Sequence, residues 1–117
     1  MRLERGAILQ VDFNPTLGHE QRGIRPAVLI SDPTVVDHQR FPLLCVIPIT
    51  STEGQGALYP KLSSGASGLR TTSFAMVDQL RSVDKQRVRR VYGRLSSAEL
   101  GLIDEGLRLY LGLAVSP

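Results

Sequence analysis

The sequence is poor in the residues that build disulfides, metal clusters and large aromatic cores. Of its 117 residues, one is cysteine, two are histidine and none is tryptophan, and aromatic residues make up 5%. The lone Cys45, inside the apolar run LLCVIPI, excludes an intrachain disulfide and a thiolate cluster, and we interpret it as a small core residue. His19 and His38 lack the ligand spacing of a zinc site. We therefore predict no metal and no cofactor.

Long hydrophobic runs and nucleotide-binding motifs are also absent. No apolar run approaches the roughly 18 to 20 residues of a membrane span, and the amino-terminal MRLERGAILQ lacks the apolar centre of a signal peptide. Neither GxGxxG nor GxxxxGK[ST] occurs, so nothing supports a dinucleotide or NTP site. Hydrophobic residues make up 42% and the mean hydropathy is -0.02, as in globular proteins. We expect one cytoplasmic domain, residues 1–117, with no membrane partner.

Lysine is scarce, although the chain is basic. Fourteen cations against eleven anions give a formal charge of +3, a surplus that permits an anionic partner without requiring one. Only Lys61 and Lys85 are lysines, and the other cations are arginines, whose planar fork matches phosphate in a bidentate manner. A GC-rich genome would produce the same bias, so both explanations stay open.

Most of the chain has the pattern of short strands, and its end has the period of a helix. Strands are predicted at residues 7–13, 27–30, 43–49, 58–62, 71–80 and 87–94, and a short helix at 33–39. Pro48 places its strand at an edge or a bulge. Ser96 and Glu99 form a capping box, followed by Leu100, Ile103, Leu107 and Leu111 at helical spacing. The fold class predicted is α+β: a strongly curved antiparallel sheet with a C-terminal amphipathic helix.

One long polar loop, NPTLGHEQRGIRP at residues 14–26, concentrates groups capable of proton transfer and anion binding. It carries His19, Glu20, Arg22 and Arg25, which supply a general base and a phosphate clamp. The alternative is a solvated surface loop whose charges neutralise one another. Arg25 is the more informative residue, because it precedes Pro26 and a buried strand, so that a rigid element directs its side chain.

Thr50 is a second candidate, since it ends the buried strand predicted at residues 43–49. A hydroxyl there lies at the rim of the sheet, where loops gather. By itself, a threonine at a strand end is more often a strand former or a turn cap. Thr50 therefore indicates a functional site only in combination with the loop at residues 14–26.

Three segments in this order resemble the MazF/PemK family of toxin endoribonucleases: GHEQRGIRPAVLIS, VIPITS and SFAMVDQLRSVDKQRV, followed by the amphipathic helix. The resemblance covers nearly the whole chain. Its most specific parts are G-x-E-Q-x-G-x-R-P, the proline-x-threonine-serine strand end and D-Q-L-R-x-x-D-K. The loops differ, because residues 53–58 are brief and residues 63–68 are rich in glycine and serine, so the RNA sequence preference stays open.

The resemblance implies an SH3-like, CcdB/PemK-like barrel that forms homodimers, cuts single-stranded RNA without metal and is blocked by a partly disordered antitoxin. Arg25 and Thr50 match the family's catalytic arginine and threonine, and Glu20 matches a glutamate of its active-site loop. RNA contacts are expected from His19, Arg22 and Ser51. Two alternatives remain: a CcdB-like gyrase poison, which the terminus LGLAVSP disfavours because those proteins end in tryptophan-glycine-isoleucine, and an RNA-binding module without activity.

Cleavage of RNA without metal uses the ribose 2′-hydroxyl as the nucleophile on its own phosphate. Arg25 is the natural clamp for the phosphorane, because its guanidinium stays protonated. A group that holds its proton is a poor acceptor, so Glu20 is preferred as the general base and His19 is the second choice. The expected products are a 2′,3′-cyclic phosphate and a 5′-hydroxyl, and DNA should survive.

Overall fold

A computed structural model describes residues 3–15, 18–20 and 23–113 of the chain. Its strands and helices are β1 (Ala7–Asp12), β2 (Ile24–Leu29), α1 (Pro33–Asp37), β3 (Leu43–Thr50), β4 (Lys61–Leu62), β5 (Ser73–Ala75), β6 (Arg81–Asp84), β7 (Val88–Arg94) and α2 (Ser97–Leu111). Short 3-10 turns at Val77–Gln79 and Lys85–Arg87 flank β6. Among the described residues, no helix has the length and apolarity needed to cross a membrane.

The strands form one antiparallel sheet that curls around β3. The strand order is β4-β5-β3-β2-β1-β7, and β6 also pairs with β3. The first half of β3 pairs with β6, from Leu43 opposite Asp84 to Val46 opposite Arg81. Its last two residues, Ile49 and Thr50, pair with β5 instead. This curved antiparallel sheet with a C-terminal helix confirms the predicted α+β fold.

Both faces of the sheet are buried along the second half of β2 and the middle of β3. Alternate residues of a strand point to opposite faces. Ala27 and Leu29 accordingly join one apolar cluster with Val46, whereas Val28 and Ile47 join a second cluster. Helix α2 contributes Ile103 and Leu107 to the second cluster and no residue to the first. The residues on both faces of these two strand segments are therefore apolar.

The C-terminal helix α2 has the predicted start and the predicted buried face. Ser96 and Glu99 form the capping box in both directions, and Ile103 and Leu107 are buried in the cluster under the helix. Leu111, the last residue of the predicted apolar stripe, is 50% exposed. The stripe therefore ends one turn earlier than the spacing predicted.

Glu99 also joins the helix start to the loop at residues 63–70. Its carboxylate accepts hydrogen bonds from the Ser63 amide at 2.7 Å and from the Ser96 amide at 3.2 Å. Burial raises the pKa of this carboxyl, but the hydrogen bonds from Ser63 and Ser96 outweigh burial and leave the pKa below its ordinary value of 4.5. The folded state therefore favours the ionised form.

Glu99→Gln is expected to lower the free energy of unfolding at pH 7 by about 1 kcal/mol, because a charged acceptor is lost. In the native chain this contribution is present above the unfolded pKa and is lost as the pH falls through the lower, folded pKa. The variant should therefore lose less stability between pH 6 and pH 3 than the native chain. Urea unfolding across this range measures it. The control is Glu105→Gln on the same helix, where the side chain is exposed. Equal acid sensitivity of the native chain and Glu99→Gln would contradict the prediction.

Several predicted boundaries are wrong, and tertiary pairing explains the largest errors. Strand β2 begins at Ile24 rather than residue 27, because Arg25 pairs with Val11 of β1. The strand predicted at 71–80 ends at Ala75, where a 3-10 turn follows. Strand β6 was not predicted, since its polar sequence has no apolar alternation and it forms by pairing with β3. The helix predicted at 33–39 ends at Asp37, and the strand predicted at 58–62 is reduced to 61–62.

The structural environments of Pro48 and Cys45 differ from those predicted. Pro48 lies in β3, an interior strand, opposite Ala27 of β2. Its carbonyl accepts from the Met76 amide, so its ring nitrogen also faces that side, where the partner of β3 changes from β6 to β5. No ladder bond to β2 is lost. Cys45 is only partly buried because it lies near the exposed beginning of β3, and burial raises the pKa of its thiol.

Candidate active site

A cavity of about 750 Å³ opens where β2 and β3 meet the loop at residues 68–73. Three of its lining side chains are cationic, and they belong to Arg25, Arg70 and Arg90. The described residues that line it include no aspartate or glutamate. Hydroxyl groups of Thr50 and Ser51 lie in the same wall. The cavity therefore has the charge and the donors to hold an anion.

Strand register brings Arg25 and Thr50 together. Ala27 pairs with Pro48 and Val28 pairs with Ile47 across β2 and β3. Arg25 and Thr50 each lie two residues beyond the Ala27–Pro48 pair, and both line the cavity. Two residues that are 25 positions apart in the sequence are thereby brought to one cavity.

The Thr50 hydroxyl is oriented by the turn that follows β3. Its Oγ1 accepts a hydrogen bond from the Thr52 amide at 3.1 Å. Because the oxygen is the acceptor in this bond, the hydroxyl proton can be donated to a ligand oxygen. Ser51 lies between these residues and is exposed. The sequence-predicted residues Arg25, Thr50 and Ser51 therefore share one cavity.

The cavity is also lined by three residues that none of the sequence motifs indicated: Gln10, Arg90 and Tyr92. The Gln10 amide donates to the Tyr92 hydroxyl at 2.8 Å, and the Arg90 guanidinium lies 5.0 Å from the centroid of the Tyr92 ring. Gln10 could have been identified from the sequence, because it is the one polar residue within the apolar part of β1. Arg90 and Tyr92 are two positions apart in β7, and this spacing alone does not show which part of the protein their side chains contact.

Glycine permits a close approach between the loop at residues 63–70 and β7. A Cβ on Gly68 would lie 2.5 Å from the carbonyl oxygen of Tyr92, and the backbone there has φ +83. Any other residue would separate this loop from β7 and strain the turn. The loop places Arg70 and Thr71 in the lining of the cavity. The glycine-rich composition of this segment thus shapes the site.

His19 and Glu20 lie in a separate depression of about 510 Å³, lined also by Asp78 and Arg81. Glu20 forms an ion pair with Arg81 at 3.1 Å, and Arg81 lies 4.5 Å over the ring of Phe13. Burial lowers the pKa of the Arg81 guanidinium, and the Glu20 charge partly opposes this. The structure thus does not place Glu20 and His19 among the residues lining the cavity with Arg25 and Thr50. The predicted RNA contact Arg22 lies outside the described residues.

No three histidine, cysteine, aspartate or glutamate side chains in the described part of the chain are arranged to hold a metal ion. The polar groups available in the cavity are guanidinium, amide and hydroxyl groups, which are donors to anions. That the chain acts without a metal stays a prediction.

Comparison with known proteins assigns the chain to a family. Residues 4–111 match the family described as PemK-like, MazF-like toxin of type II toxin-antitoxin system. The chain belongs to this family. The similarity extends to the endoribonuclease MazF9 of Mycobacterium tuberculosis strain H37Rv, which is 36% identical over 117 residues, covering 95% of this chain and 98% of the relative. The endoribonuclease EndoA of Bacillus subtilis strain 168 is 27% identical over 97% of each chain.

Solved structures show the same fold as this PemK/MazF-family chain. MazF from Deinococcus radiodurans superposes with a TM-score of 0.82 at 23% identity, covering 96% of this chain and 98% of that one. A mycobacterial endoribonuclease in complex with its cognate antitoxin has a TM-score of 0.80 at 18% identity, over 97% and 99% of the two chains. The family resemblance drawn from the sequence motifs is confirmed.

Proposed function

We propose that this PemK/MazF-family chain is the toxin of a type II toxin-antitoxin system and an endoribonuclease that cleaves single-stranded RNA without a metal. The observation that carries the proposal is that Arg25 of β2 and Thr50 of β3 line one cavity whose described lining residues carry no carboxylate. The family and the endoribonuclease relatives support the same activity.

The chemistry follows from the groups in the cavity. The 2′-oxygen gives up its proton and attacks the adjacent phosphorus, which forms the 2′,3′-cyclic phosphate. The bond from phosphorus to the 5′-oxygen breaks, and this oxygen takes up a proton from the protonated base or from water to become the 5′-hydroxyl. Negative charge grows on the non-bridging oxygens during this step. Arg25 donates to these oxygens from a guanidinium that stays protonated, and Thr50 donates its hydroxyl to the same phosphate. DNA lacks the nucleophile and is not cut.

The proton of the 2′-hydroxyl needs an acceptor, and we assign this role to Glu20, with His19 as the second choice. In the structure Glu20 is held by Arg81, so it must leave this partner to reach the cavity. The Glu20 side chain is 55% exposed, and an exposed ion pair contributes at most about 1 kcal/mol. Breaking this ion pair therefore costs little free energy compared with the rate gain of about 10²- to 10⁴-fold that a positioned base provides.

The proposed partners are single-stranded RNA, a cognate antitoxin and a second copy of the chain. MazE-MazF complexes from Deinococcus radiodurans share the fold of this chain. An acidic, partly disordered antitoxin segment would place a carboxylate near Arg25, where it would replace the scissile phosphate. A two-fold homodimer would extend the arginine-rich path along the RNA.

Cleavage of a long single-stranded RNA is expected in buffer that contains EDTA, with the cut ends mapped as 2′,3′-cyclic phosphate and 5′-hydroxyl. The physical reason is that the 2′-hydroxyl is intramolecular, so Arg25 and Thr50 supply the charge stabilisation that a metal would otherwise supply. A DNA strand of the same sequence is the control and should remain intact. Activity that disappears in EDTA and returns with magnesium would contradict the metal-free mechanism. RNA left intact in every condition would favour a CcdB-like gyrase poison.

A further inference from the structure

The end of the cavity formed by β1 and β7 differs in chemistry from the end formed by Arg25 and Thr50. Gln10 of β1 pairs with Arg90 of β7 on one side and with Pro26 of β2 on the other. The row from β7 to β3 thus crosses three strand spacings, which is about 14 Å along the sheet. That length is roughly two to four nucleotides of a single strand, depending on its extension.

The Arg90 guanidinium packs against the aromatic ring of Tyr92. It lies 5.0 Å from the centroid of Tyr92, a distance at which cation and ring attract. The Tyr92 hydroxyl accepts from Gln10 at 2.8 Å, which fixes the direction of the ring. The backbone of Tyr92 is in turn held against Gly68. Arg90 itself is exposed, so its outer face is open to a ligand.

We propose that Arg90, backed by Tyr92, is the stacking platform for one unpaired nucleobase of the RNA, next to the nucleotide whose phosphate lies at Arg25. This inference rests on the proposed function and extends it to a base-binding subsite. Arginine planes and aromatic rings are the surfaces on which unpaired bases stack in RNA complexes. A phosphate contact would need only the charge of Arg90, whereas stacking needs its plane. The two roles can therefore be separated.

The test uses short fluorescent RNAs in which an abasic ribonucleotide replaces one position at a time around the cut site. For the native chain, one position next to the cut should show KM raised by about 5- to 150-fold when its base is removed, the range expected for one stacked base. Arg90→Lys keeps the charge and loses the plane. It should raise KM on the intact RNA by a similar factor, and removal of the same base should then add little.

Two further variants make the result specific. Tyr92→Leu removes the supporting ring and should behave like Arg90→Lys. Arg94→Ala on the same strand β7 is the matched control, because Arg94 is exposed and paired with Glu4 at 2.5 Å, outside the cavity. It should leave the KM profile of the native chain unchanged. Melting temperatures within a few degrees of the native value confirm that the variants are folded.

The outcomes separate the subsite from the proposed function. If the native chain cuts RNA and the abasic effect is equally large in Arg90→Lys, stacking on Arg90 is wrong. If the native chain cuts no RNA, the proposed function is wrong. Fluorescence anisotropy of the same RNAs on the Thr50→Ala variant then tests the subsite independently. Tighter binding of intact than abasic RNA, abolished by Arg90→Lys, would support it, and equal binding of both RNAs would overturn it.

Discussion

Arg25→Ala should lower the rate of RNA cleavage by about 10² to 10³-fold, because one preorganised donor to the phosphorane is removed. Thr50→Ala should lower it by about 10²-fold, and Thr50→Ser should retain most of the rate because the hydroxyl remains. Both side chains lie outside the two apolar clusters, so the fold should persist. Single-turnover cleavage of a labelled RNA at saturating protein measures the effect.

The controls distinguish this clamp from a general loss of positive charge. Arg40→Ala removes an exposed arginine that does not line the cavity and should leave the rate within about twofold of the native chain, since an isolated surface charge acts mainly through weak, screened electrostatics. Glu20→Gln should reduce the rate by about 10² or more if Glu20 accepts the proton. Near-native rates in both Arg25→Ala and Thr50→Ala would show that this cavity is not the active site.

Ile103→Ala should lower the free energy of unfolding by about 2 to 5 kcal/mol, a large part of the roughly 5 to 15 kcal/mol of a typical domain. Ile103 is 0% exposed and belongs to the cluster between α2 and the sheet. Its truncation removes apolar contacts and leaves a cavity beneath the helix, which closely packed neighbours fill only in part.

Urea unfolding of Ile103→Ala beside Leu109→Ala gives this comparison an internal control. Leu109 is on the same helix and is 64% exposed, so its truncation should change stability by less than about 0.5 kcal/mol. A similar loss in both variants would mean that burial under α2 does not govern the cost, since alanine has the highest helix propensity and neither substitution weakens the helix itself. That result would contradict the assignment of α2 to the core.

The strands and the helix with strong apolar patterns were predictable because their signals are local. Strand β3 was predicted within one residue of its bounds, and the predicted capping box marks the observed start of helix α2. The Ser96–Glu99 capping box is a short-range device that needs no tertiary partner. Strand β6 was not predictable, since its four residues become a strand only by pairing with β3. The 3-10 turn at Val77–Gln79 likewise interrupts a segment of high strand propensity.

The sequence by itself determined the family, the α+β class and the identity of Arg25 and Thr50 as the residues to examine. These depend on motifs and on apolar periodicity, which are read along the chain. Only the tertiary structure decided that Arg25 and Thr50 line the same cavity, because the pairing of β2 with β3 brings distant parts of the chain together. It also decided that Glu20 pairs with Arg81, 61 positions away, and that Gln10, Arg90 and Tyr92 complete the cavity. Side-chain neighbours across a sheet are set by curvature and pairing, which no local pattern encodes.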